Sequence, residues 1–114
     1  MVVCLDLDAP FTSFSFMSPI LHWIQPGLKV QGDRFEATEP FIVDYAGPGP
    51  PPGSGPHRYC FFLYEQPEGF DVKAHAPSGG AKVGIWPRVR YSLEDWEEKA
   101  KLGEVIAANY FTSN

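Results

Sequence analysis

Apolar positions along the chain fall into short runs separated by turn-forming residues, a pattern that predicts strands far more than helices. Residues 1–7 (MVVCLDL) are almost wholly aliphatic and are closed by Asp8, Ala9 and Pro10, so they read as a buried strand entering a turn. Asp6 and Asp8 fall at its C-terminal mouth. Residues 11–20 mix Ser, Thr, Phe and Pro19 without a period and read as a loop, after which residues 22–25 form a short strand stopped by Pro26 and Gly27. Residues 41–46 predict another strand. Residues 47–56 (GPGPPPGSGP) are Gly or Pro at nine of ten positions. Proline cannot donate to a sheet and glycine accepts positive φ, so this stretch predicts an ordered, irregular loop.

Residues 57–66 (HRYCFFLYEQ) are the strongest strand, apolar on both faces through the middle and therefore central in a sheet. A long connection follows, punctuated by Gly69, Pro77, Gly79 and Gly80, and residues 83–91 predict a bent strand interrupted at Pro87. One helix is clear. Ser92 suits its N-cap, with Asp95 three residues on; Glu94, Asp95, Glu97 and Glu98 favour its start; Lys99 and Lys101 favour its end; and Gly103 suits the position after it. Residues 105–111 predict the last strand.

Size and charge narrow the function classes. At 114 residues the chain lies within the range of about 50 to 250 for one domain, and its 44% hydrophobic and 20% charged residues argue against general disorder. The longest apolar run, residues 59–64, is far short of the roughly 20 that a membrane helix needs. The N-terminus has no basic flank or long apolar stretch of the kind found in a secretory signal, which predicts a cytoplasmic chain. A net charge of -5, with no block of Lys or Arg, argues against nucleic acid as a partner. Cys4 and Cys60 each sit in an apolar stretch, as buried free thiols do, and a disulfide requires those stretches to lie side by side.

Candidate chemistry gathers at strand ends, where sites are usually built: Asp6, Asp8, His22, His57 and Tyr59. Two imidazoles, a phenol and loop amides would give a small anion directed hydrogen-bond donors, and a glycine-rich backbone can turn successive N–H groups inward as a nest. The carboxylates would pair with His22 or His57, fixing the tautomer and favouring the donating form, or accept from an ammonium on the same ligand. A zwitterion such as phosphoethanolamine satisfies both signs.

DLDAP at residues 6–10, HWI at residues 22–24 and YAGPGPPPGSGPHRYCFFLYEQP at residues 45–67 together resemble the core of the phosphatidylethanolamine-binding protein family. RVRYSL and VIAANYF resemble the tail of its fungal members. The resemblance implies a mainly β fold, a β-sandwich with one short helix in the C-terminal half and a small anion pocket at one end of the strands. It places the pocket carboxylates on Asp6 and Asp8, the histidines on His22 and His57 and the tyrosine on Tyr59, with Pro10, Gly47, Gly49, Pro50 and Pro51 as pocket wall. It implies a binding protein without cofactor or catalytic residues, whose ligand is a phosphate-type anion or phospholipid head group. Its protein partner would be a kinase or a protease, with carboxypeptidase Y inhibition associated with the fungal branch. Three positions depart from the pattern: Leu7 replaces a proline between the two aspartates, Ile20 stands where an aromatic is common, and the chain begins almost at the first motif. The last departure implies that the family's N-terminal strands are missing, leaving a partial domain over residues 1–114 with an exposed apolar sheet face and open edges.

Rival readings are weaker. His22, His57 and one of Asp6 or Asp8 could form a two-histidine, one-carboxylate metal triad. Ser54 near His57 and an aspartate suggests a hydrolase but lacks the strand-turn-helix context of a nucleophile elbow. The Pro48 to Pro52 run leads straight into the most apolar strand, unlike a disordered polyproline ligand. Trp23, Trp86 and Trp96 read as core aromatics more readily than as a ligand cage.

Overall fold

The computed structural model describes residues 1–114. Its six strands are β1 (Val2–Asp6), β2 (Ile20–Gln25), β3 (Leu28–Gln31), β4 (Arg34–Ala37), β5 (His57–Leu63) and β6 (Ala107–Ser113). Four of them form an antiparallel sheet in the order β2-β1-β5-β6, and β3 pairs with β4 in a second, two-stranded sheet. The mainly β expectation holds, and β5 is central, lying between β1 and β6. Two short helices, α1 (Val72–His75) and α2 (Leu93–Lys99), and 3-10 turns at Ser78–Gly80 and Trp86–Arg88 complete the chain. No helix is long and apolar enough to cross a membrane.

Alternation sorts the sheet's residues between its two faces. Met1, Val3, Leu5, Leu21, Ile24 and Tyr64 meet Ile42, Val43, Trp96 of α2 and Ala100, which caps that helix, in one core. Full burial of a side chain such as Leu21 or Ile24 there contributes roughly 1.5–3 kcal/mol. Toward the other face, Val2, Trp23, Phe61 and Leu63 line an open apolar hollow of about 500 Å³ with Leu28 and Phe35 from the β3–β4 hairpin. Phe35 remains 52% exposed and Tyr110, on the edge strand β6, 61%. The open apolar face and the open edge expected from the sequence are both present.

Helix α2 starts as expected, with the Ser92 side chain accepting from the Asp95 N–H at 3.2 Å. It stops before Gly103. Lys101 takes the left-handed conformation (φ 57), Leu102 N–H bonds to Glu97 O, and Lys101 N–H bonds to Glu98 O, which is a Schellman closure. Leu102 then packs back on the core, and that burial outweighs the preference for glycine at the turn.

Three other regions differ from expectation. Residues 41–46 form only a bridge between Ile24 and Val43, because Ile42 and Val43 both donate to the one carbonyl of Ile24. Residues 83–91 form no strand: Pro87 sits within the turn at Trp86–Arg88, and Arg90 and Tyr91 donate instead to Met17 and Pro19. The β3–β4 hairpin was not anticipated, although Gly32 and Asp33 between alternating runs form its two-residue turn, with Gly32 at φ 65.

β1 and β5 do lie side by side, yet the thiols do not meet. Leu5 is opposite Cys60 and Cys4 is opposite Phe61, so the one-residue offset sends the two thiols to opposite faces of the sheet. Both cysteines are free.

Candidate functional site

The site forms where β1 ends, β5 begins and β2 is irregular. Asp6, the last residue of β1, lies opposite Tyr59, and His57 opens β5. On the other side of β1, Cys4 pairs with Trp23 but Leu5 pairs with Leu21, leaving His22 as the extra residue of a β-bulge. A bulge re-aims a side chain and releases backbone groups from the ladder. Here it directs His22 to the cavity, where its ring meets that of Tyr59 edge-on at 5.2 Å between centroids.

Asp6 is the anchor. Its Oδ1 accepts the Asp8 N–H at 2.9 Å, and its Oδ2 accepts from His57 Nδ1 at 2.8 Å. His57 is 1% exposed. Its Nε2 lies 3.1 Å from both Ser54 Oγ and the Pro10 carbonyl, so it can accept from the serine hydroxyl when bare and donate to the carbonyl when protonated. His22 Nδ1 bonds to the Ala46 carbonyl, which can only accept, so the proton is on Nδ1 and Nε2 is left unengaged. Burial pushes the Tyr59 hydroxyl up to about 12, with Asp6 adding to the effect and the Gly49 amide opposing it. The phenol is therefore a neutral donor across the physiological range.

Nine of the ten residues nominated from the sequence line one cavity of about 360 Å³: Asp6, Pro10, His22, Gly47, Gly49, Pro50, Pro51, His57 and Tyr59. Asp8 does not. It is buried but faces Arg58, accepting from the Arg58 backbone N–H at 2.8 Å, from Nε at 2.9 Å and from Nη2 at 3.0 Å. That pairing holds its carboxyl below the usual carboxylate range. The nest expected in the glycine-rich loop is also not at the cavity wall: positive φ occurs at Gly53 and Gly55, not at Gly47 or Gly49. Gly55 is required by contact as well, since a Cβ there would lie 2.9 Å from Thr12 Oγ1. Side chains, more than a ring of amides, face the cavity.

Seven residues not nominated from the sequence complete the lining: Ala9, Met17, Ile20, Leu21, Ala46, Ile85 and Arg88. Met17 and Ile85 carry no polar signal. Arg88 opens the RVRYSL stretch, but it is only 4% exposed and its acidic partner Asp44, at 2.8 Å, lies far back in the chain, so that stretch does not by itself place it at the cavity.

The hydrolase and metal rivals fit poorly with this geometry. Ser54, His57 and Asp6 form a hydrogen-bonded chain, but Ser54 is 5% exposed and is not part of the cavity wall, and His57 Nε2 is shared with a carbonyl. No three His, Cys, Asp or Glu residues are grouped so as to hold a metal ion.

The family model described as phosphatidylethanolamine-binding protein matches residues 1–111. The carboxypeptidase Y inhibitor of Saccharomyces cerevisiae is 32% identical over 130 residues, covering 96% of this chain and 57% of its own length. The phomoidride biosynthesis cluster protein N of Talaromyces stipitatus is 32% identical over 117 residues, covering 97% of this chain and 57% of its own. Among solved structures, carboxypeptidase Y inhibitor complexed with its cognate proteinase superposes with a TM-score of 0.73 at 29% identity, covering 97% of this chain and 57% of that one. This chain thus spans little more than half the length of these relatives.

Proposed function

Since the chain belongs to the phosphatidylethanolamine-binding protein family, we propose that it is a binding protein whose cavity takes a phosphate-bearing head group and which inhibits a protease of the carboxypeptidase type. The observation that carries the pocket reading is the convergence of His22, His57 and Tyr59 on one cavity of about 360 Å³, a volume suited to a small ligand. Tyr59 donates as a neutral phenol, and the free Nε2 of His22 donates once protonated. Asp6 has one oxygen on His57 and one on a backbone amide, which keeps its charge compensated beside an anion. The inhibitory role rests on likeness to the yeast carboxypeptidase Y inhibitor. A non-catalytic role is supported by Ser54 being excluded from the cavity wall.

Calorimetric titration of phosphorylethanolamine and of inorganic phosphate into the purified chain tests the pocket. Saturable binding that His22→Ala abolishes is the expected result; no saturable heat, or binding unchanged in the variant, overturns it. Carboxypeptidase Y activity measured with increasing amounts of the chain tests the inhibitory role, which undiminished turnover overturns. Steady release of product from a generic ester by the chain alone would overturn the non-catalytic reading.

A further inference from the structure

We propose that Arg88 is the positioning residue of this cavity: it holds the β-bulge open at His22 and so fixes the ring that faces the ligand. The carbonyls of Leu21 and His22, at the bulge, are both met by one buried group. Arg88 Nη1 lies 3.3 Å from each of them and 3.1 Å from the Asp44 carbonyl. Nη2 donates to Asp44 Oδ1 at 2.8 Å and to the Val83 carbonyl at 3.1 Å, and Nε donates to Val83 at 3.2 Å. One guanidinium thus ties β2, the segment ending in the cavity wall and the turn that carries Arg88 itself.

The chain from Arg88 to His22 is short. The carbonyl that Arg88 takes from His22 also accepts the Ala46 N–H at 2.9 Å, and the Ala46 carbonyl in turn holds His22 Nδ1. Locking the backbone at His22 and Asp44 therefore locks the tautomer that leaves Nε2 free. Lysine cannot replace this arrangement, because an ammonium has three donors at one point and no fork that spans acceptors on three segments. His57 is held separately by Asp6, Ser54 and the Pro10 carbonyl and shares no hydrogen bond with this network, although Tyr59 lies against both imidazole rings.

The inference rests on the anion-binding reading only for its effect on affinity. Arg88→Lys is the variant, and the readouts are the ring nitrogen resonances of ¹⁵N-histidine-labelled protein and the affinity for inorganic phosphate. His22 is expected to lose its single Nδ1–H tautomer while His57 keeps its own, and phosphate affinity falls by roughly tenfold or more. Should Arg88→Lys not fold, Asp44→Asn replaces it, with the same selective effect on His22 and a fall of about threefold. An unchanged His22 tautomer in a folded variant, or His22 and His57 changing together, overturns the positioning role. If wild-type chain does not bind phosphate, the binding reading falls, while the His22 spectrum still decides the role of Arg88.

Discussion

His57 Nδ1 donates to Asp6 Oδ2 at 2.8 Å, with side-chain exposures of 1% and 5%. A buried pair of this kind is costly to split, because the partner left behind keeps its desolvation penalty. Asp6→Ala is expected to lower unfolding free energy by about 1–3 kcal/mol in urea titrations, beyond the loss from a surface carboxylate. A loss under about 1 kcal/mol would mean that the pair is not the anchor it is taken to be.

Burial also governs the alkaline limb of stability. Tyr59 and Tyr91 are each pushed up from 10 to about 12, and Tyr64, buried beside Glu97, is raised as well. A raised pKa means that the folded chain holds its proton more tightly than the unfolded one. The stabilisation is full below pH 10 and is lost as pH rises toward about 12. Thermal melts across this interval are expected to fall steeply, and less steeply in Tyr91→Phe.

Asp8 sets the acid limb. Its carboxyl is held low by the Arg58 guanidinium, so its contribution is present above the ordinary carboxylate range, about pH 4, and is lost as pH falls through the depressed value. Asp8→Asn is expected to flatten the acid side of the stability profile. Salt is expected to do part of the same, since Arg58 is 53% exposed on its side chain. A profile identical to wild type would show that the pair adds nothing.

The thiols differ in reach. Cys4 is 2% exposed and burial pushes its thiol up to about 12, whereas Cys60 is half-buried and raised for the same principal reason. Alkylation of native chain at mildly alkaline pH is expected to mark Cys60 slowly and Cys4 only after urea, as read by mass spectrometry. Equal labelling of both before denaturation would contradict the placement of Cys4 within the sheet.

What the sequence made legible follows from where the information lies. The strand at His57 and the helix after Ser92 are written in contiguous patterns, and the cavity residues lie in motifs with specific spacing. The role of Arg88 was illegible because most of its partners are carbonyls, of Leu21, His22, Val83 and Asp44, which leave no mark on a side-chain pattern, and its one carboxylate partner, Asp44, is remote in sequence. The family resemblance puts Asp8 in the pocket together with Asp6, but two residues on, past the end of β1, it meets Arg58 instead. The segments at residues 41–46 and 83–91 had strand-like composition, yet their backbone groups were taken by Ile24 and by residues 17–19.

The unpaired residue in β2 has one more consequence. Removing a single residue at His22 would let the pairing of β1 with β2 run in one continuous register, as β1 does with β5. The sheet would be more regular, and the imidazole, with the reason for a buried guanidinium behind it, would be gone. A length change of one position thus decides whether β2 presents an imidazole to the cavity, and insertions or deletions in residues 20–25 should be far less forgiving than substitutions.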